Sequence, residues 1–292
     1  MRFGAHQTFH LRDTWLLKGY DALEVDNKLF KSTKAIETLG VGKNMVESIE
    51  YWMTALSLLV KGSEGHELTE IAASIFTNDQ FLELDGSLIL LHYLLVTNKE
   101  QATSFYWFFN NFAATEFDSD SLQVYLEAFV QSQDKKINPN TLKKDINCLL
   151  RTYREPIYKD KVTPESENPS PFSRFNLITA DNKKFTKNKL RLSDIHPLVF
   201  IYLAYLFWND VLMGAESFNL DELLKKEMSP GLVLGLNEDD IVQMIEEIER
   251  EYGDKYLTYS RTGGYFILNL KYKNAQKALE DYYNETLSRL GN

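Results

Sequence analysis

Apolar residues recur at three- and four-residue steps through most of the chain, which predicts a mainly α protein with small β hairpins between its helices. The pattern is clearest over residues 33–60. A short helix runs to Leu39, Gly40-Val41-Gly42 makes a turn, and a longer helix opens at Lys43-Asn44. In that helix Met45, Ile49, Trp52, Met53 and Leu56 fall on one stripe and are predicted to be buried, with Lys43, Asn44, Glu47, Ser48 and Tyr51 outside. An extended stretch follows Leu58, then a short helix within 66–81 and an alternating strand at 81–86. Helix, turn, helix and strand pair is the order of a winged helix-turn-helix, with Lys61 near the wing. A helical hairpin that only packs fits the same spacing.

Farther on, LILLHYLLVT and SFYWFFNNF are apolar almost all round, so they are predicted to be internal helices, with His92 a hydrogen-bonded core histidine. Asn138 or Asn140 then caps a helix whose apolar face is Leu142, Ile146, Leu149 and Leu150. Its outer face, Lys143, Lys144, Asn147, Arg151 and Arg154, resembles a second recognition helix, although a solvated charged face has the same form. Four of the seven prolines lie between Glu155 and Pro171 and mark a domain boundary. After it come a basic stretch, DNKKFTKNKLR, with the pattern of a hairpin, and an apolar helix, HPLVFIYLAYLFW, predicted to be buried.

The last third repeats the winged-helix order. A short helix spans 218–227, a turn 228–232, an amphipathic helix capped by Asn237 covers 238–252, and a hairpin closes around 261–264. The architecture expected is therefore tandem winged-helix-like modules around a helical core. Its three parts are an N-terminal DNA-binding domain at 1–86, a helical core with the second basic unit at 87–160, and a C-terminal domain with an acidic module at 161–292.

Composition adds exclusions. With 44% hydrophobic and 25% charged residues the chain is an ordinary globular sequence. A single cysteine, Cys148, excludes an internal disulfide and a cysteine-rich zinc cage. No apolar run has the form of a signal peptide or the length of a membrane span, so a cytoplasmic protein without membrane contact is expected. The net charge of −10 opposes a non-specific nucleic-acid coat, but the charge is segregated. Residues 131–191 carry 14 basic side chains against 7 acidic ones, and 192–292 carry 9 against 17. Such a distribution suits a polyanion on one face and a protein partner on another.

Candidate chemistry is concentrated at the N-terminus, where His6, His10, Arg12, Asp13 and Lys18 are crowded among aromatic residues. If 8–18 is helical, His10 and Asp13 share a face. His6 and His10, four apart, could ligate a metal or act as acid and base with Asp13 as orienter; a structural role in which they cap or hydrogen-bond the following helix is the commoner reading of so short a motif.

Four segments in order, FGAHQTFHLRDTWLLKG, LGVGKNMVESIEYW, NPSPFSRFNLI and MSPGLVLGL, resemble the SspB-like family of bacterial proteins encoded beside DNA phosphorothioation genes. The resemblance spans nearly the whole chain. It implies binding and single-strand nicking of double-stranded DNA, in concert with a cysteine desulfurase and ATP-using sulfur-transfer proteins. No PD-(D/E)xK, HNH or GIY-YIG segment is present, so the catalytic candidates remain His6, His10, Arg12, Asp13 and Lys18, with a divalent magnesium or manganese ion as a possible cofactor. The DNA-contact candidates are Lys34, Lys43, Asn44, Ser48, Lys61, Lys143, Lys144, Asn147 and Arg151. The alternative is a non-catalytic winged-helix protein that targets modification enzymes or regulates transcription.

Overall fold

The computed structural model describes residues 1–155, 169–263 and 265–291. Most of the proline-rich boundary lies outside the described residues. Two compact units result, Met1–Asn188 and Lys189–Asn292.

The first unit begins with α1 (Asp13–Val25), α2 (Ala35–Leu39) and α3 (Lys43–Ala55). Gly40 closes α2 in the left-handed conformation, φ +64°, with open space where a side chain would project. Gly19 does the opposite: a Cβ there would fall 2.2 Å from the Met53 sulfur, so its absence lets α1 lie against α3. A hairpin follows, β1 (Leu59–Lys61) with β2 (His66–Leu68), and then α4 (Glu70–Asn78). Residues 81–86 are not the expected strand. The buried Asp79 carboxylate accepts from the Glu83 and Leu84 amides at 2.8 and 3.1 Å, and this folds the segment into a turn leading to α5 (Asp85–Thr97).

Helices α5 and α6 (Thr103–Asn110) are the buried centre, as their unbroken apolar surfaces predict. His92 is indeed a core histidine, with Nδ1 2.8 Å from the Tyr153 hydroxyl. Next come β3 (Glu116–Asp118), α7 (Ser119–Ser132), α8 (Pro139–Tyr153), β4 (Ile178–Asp181) and β5 (Lys184–Lys187). The strands form an antiparallel sheet in the order β3-β5-β4. Residues 178–187, grouped by sequence with the last domain, thus belong to the first unit. The basic stretch does make a hairpin, and one of its lysines is turned inward. Lys187 Nζ donates to the Phe108 and Phe112 carbonyls at 2.8 and 3.0 Å, closing the C-terminal end of α6 beneath two aromatic rings. Burial lowers the pKa of this amine to about 8.

The second unit runs α9 (Pro197–Asp210), β6 (Phe218–Asn219), α10 (Leu220–Lys225), α11 (Pro230–Leu234), α12 (Glu238–Tyr252), β7 (Leu257–Thr262), β8 (Tyr265–Leu270), α13 (Tyr272–Ala275) and α14 (Ala278–Leu290). Residues expected as a turn at 228–232 instead start α11, capped by the Ser229 hydroxyl. Asn237 caps α12 as predicted, in a reciprocal box with Asp240. The sheet order is β6-β8-β7, so both units place a strand, then helices, then a hairpin whose second strand pairs with the first. Among the described residues no helix is long and apolar enough to cross a membrane.

Lys187→Met should destabilise the first unit by about 2–3 kcal/mol, because two carbonyls at the end of α6 lose a charged donor. Urea unfolding of the variant against the parent protein measures this.

Candidate functional site

The N-terminal cluster is organised by a residue that the sequence analysis passed over. Asp145, on the inner face of α8, is buried. Its Oδ1 accepts from the Gly4 amide at 2.7 Å and lies 2.8 Å from His6 Nε2, while Oδ2 accepts from the Ser104 hydroxyl at 2.6 Å. The signal was present: 145 lies three after Leu142 and four before Leu149, so an acid stands on the apolar stripe. An uncompensated carboxylate there would be too costly to keep, and the loop before α1 supplies its partners.

That loop is not helical, and Gln7 and Thr8 take positive φ values of 51° and 68°. Helix α1 starts only at Asp13, so His10 and Asp13 do not share a helical face. The turn is held from both sides. His6 Nδ1 accepts from the Thr8 amide at 3.1 Å, the His6 carbonyl accepts from the Ser48 hydroxyl at 3.0 Å, and the Phe9 carbonyl accepts from the Trp52 indole and the Cys148 thiol, each at 3.3 Å. Burial works against charge on the His6 ring, yet the adjacent Cys148 sulfur and the Asp145 carboxylate raise its pKa from 6.5 to about 10.

The five catalytic candidates face different neighbours. His6 and His10 are buried. Arg12 is half-buried, its guanidinium carbon 4.9 Å from the Trp15 ring centroid and 5.5 Å from that of Phe9. Asp13 is at the surface, where partial burial raises its pKa and Arg174 opposes the shift. Arg174 also pairs with Asp85 at 3.0 Å and donates to the Glu83 carbonyl. Lys18 reaches the Leu39 carbonyl at 3.4 Å and lines, with Lys34, an open groove of about 630 Å³ between α1 and α2.

The DNA-contact candidates also separate. On α3 only the first turn is open: Lys43 and Asn44 are exposed, whereas Ser48 and Tyr51, expected outside, are buried against the N-terminal loop. Lys34 and Lys61 are exposed. Helix α8 presents Lys143, Lys144 and Asn147 fully and Arg151 partly, over three turns. Asn138 caps it, as expected, with Pro139 at its first position. Burial and the neighbouring Arg151 both lower the pKa of Arg154. Lys143, Lys144, Arg151 and Arg154 enter no ion pair among the described residues, and β4 lies against the end of this helix. The contrast is with the second unit, where Lys189, Lys225, Lys226, Arg250, Lys255, Arg261 and Arg289 are all ion-paired.

No three His, Cys, Asp or Glu side chains gather into a metal-binding group among the described residues. The donors present do not build a metal cage, so a divalent ion is assigned no step here.

Asp145→Ala should cost about 3–5 kcal/mol, since it strands the buried His6 ring nitrogen and two further donors without their acceptor. The His6–Asp145 pair should also make stability depend on pH. With the folded pKa above the unfolded one, its contribution is whole below about pH 6.5 and is lost as the pH rises towards about 10. Urea unfolding at about pH 6 and about pH 9 should show a loss that His6→Gln largely abolishes.

Comparison with known proteins agrees with this architecture. No curated protein matches the chain. A magnesium ion-bound SspB crystal structure is similar, with a TM-score of 0.86 and 22% identity over 97% of this chain and 88% of that one. A second SspB crystal structure gives a TM-score of 0.84 at the same identity and coverage. At that identity the likeness is one of fold. The family described as "Protein of unknown function (DUF4007)" matches residues 3–283, and this chain belongs to it.

Proposed function

We propose that the protein holds duplex DNA on the outer face of α8, as a component of a DNA phosphorothioation system. The observation that carries the reading is the row Lys143, Lys144, Asn147 and Arg151, a cationic helix face that meets no neutralising carboxylate among the described residues, in a chain of net charge −10. Unneutralised lysine and arginine release condensed counterions when they meet phosphate, and that release drives the association. A capped helix of 15 residues with a clear outer face can lie in or along a groove. The strand, helix and hairpin order around it, β3-α7-α8-β4-β5, supports a winged-helix reading, with exposed Lys183 and Lys184 at the hairpin. Because α3 opens only one turn, its Lys43 and Asn44 are secondary contacts. The phosphorothioation context rests on the likeness to SspB.

Replacing Lys143, Lys144 and Arg151 together by alanine should weaken a duplex gel shift and make the slope of log K against log salt shallower by about 3. Lys43→Ala with Lys61→Ala should leave most of the affinity. An unchanged shift in the α8 variant would remove this surface from the account.

Single-strand nicking is the second reading, favoured by the Arg174 guanidinium, which pairs with Asp85 and also acts electrostatically on Asp13, since phosphodiester cleavage needs a base and a cation for developing charge. Supercoiled plasmid incubated with the protein and Mg²⁺ or Mn²⁺ should open to relaxed circles, and Asp13→Asn should reduce the rate by about a hundredfold, the usual contribution of a positioned base. No relaxation by the intact protein would leave DNA holding as its function.

A further inference from the structure

The apolar helix α9 is predicted to be buried throughout, and through Ala204 it is. Its last turn departs from that. Tyr205 and Trp208, three residues apart and so on one side of the helix, are both part-exposed. Their ring centroids are 6.1 Å apart with planes at 31°. Tyr272, from α13, continues the row at 5.9 Å from Trp208 and 14° from parallel, and it is 48% exposed. Trp208 is fixed in place because its indole nitrogen donates to the Ala215 carbonyl at 2.7 Å.

Charge distinguishes this row from the apolar contacts elsewhere in the unit. Lys271 and Lys273 flank Tyr272, both are exposed, and neither enters an ion pair among the described residues. Lys273 Nζ lies 5.9 Å from the Tyr272 ring. The segment after α9, 211–217, contains no lysine or arginine, so the cations that flank Tyr272 in sequence are those of the α13 side. Elsewhere in this unit the basic side chains are largely consumed by acids.

Trp208 and Tyr272 stack on one another and leave Tyr272 exposed at the outer end, edged by unpaired lysines, and such a stack takes unpaired nucleic acid: a base extends it and the backbone follows the ammonium groups. We propose that Tyr205, Trp208 and Tyr272, with Lys271 and Lys273, form a binding surface for a single strand of nucleic acid. A duplex does not fit this requirement, because its base faces are already stacked on one another. The surface is independent of α8, lies in the other unit, and would act on a strand that has come away from its complement.

The chain has four tryptophans, and Trp15, Trp52 and Trp107 are buried. Quenching of the full protein's fluorescence by a short oligothymidylate therefore reports on Trp208. Quenching should saturate, weaken with salt, and withstand a duplex competitor. Tyr272→Ala should weaken binding about tenfold with its thermal midpoint unchanged. Lys271→Glu with Lys273→Glu should weaken it further and flatten the salt dependence, whereas the triple alanine variant of α8 should bind the oligonucleotide like the parent. Absence of quenching, parental affinity in both the tyrosine and lysine variants, or loss of quenching in the α8 variant would each overturn the proposal. Because the α8 variant is read separately against duplex, failure of the single-strand surface and failure of the duplex assignment give different patterns.

Discussion

A buried carboxylate cannot stay ionised inside a protein unless donors surround it, and Asp145 is the place where that requirement shapes this one. Its two oxygens collect the Gly4 amide, the His6 ring and the Ser104 hydroxyl, from the N-terminal loop and α6. The loop in turn accepts hydrogen bonds from Ser48 and Trp52 of α3 and Cys148 of α8. Three helices and the N-terminal segment are thereby joined through one polar centre rather than through apolar contact alone. The density of histidine and aromatic residues near the N-terminus, which has the look of chemistry, is largely accounted for by this joint.

The rest of the charge is distributed by a different rule. In the second unit most lysines and arginines outside α13 are neutralised at short range by acids, for example Lys225 by Asp221 and Lys255 by Asp281. Exposed pairs of this kind add little stability, so their main consequence is to remove cationic surface. In the first unit the outer residues of α8 have no such neighbours among the described residues. The net acidity of the chain therefore conceals one strongly cationic helix, and its surface potential is set by where pairing fails rather than by composition.

Elements with strong local signals were legible in the sequence. The glycine turn between α2 and α3, the caps at Asn138 and Asn237, the buried α5 and α6 and both later hairpins all follow from spacing and turn chemistry. What was not legible depended on a loop folding back over a helix or on polar groups capturing nearby amides. Ser48 and Tyr51 have the spacing of an outer face, but the loop carrying His6 folds over them. Residues 81–86 alternate as a strand would, yet Asp79 captures two of their amides before any ladder forms. The condition for His10 and Asp13 to share a face, a helix from residue 8, is not met, because the His6 ring and carbonyl take the Thr8 and Phe9 amides first. In the last two cases a polar group a few residues away out-competed the local preference.

Asp145 shares its helix with the residues that form the outer cationic face, since Lys143, Lys144 and Asn147 are its near neighbours in sequence. A helix turns by about 100° per residue, so fixing one side chain fixes the azimuth of every other. The three hydrogen bonds at Asp145 thus act as an angular stop. Sequence drift on the solvent side can alter which side chains α8 displays, but it cannot re-aim them without withdrawing the inner carboxylate from its donors.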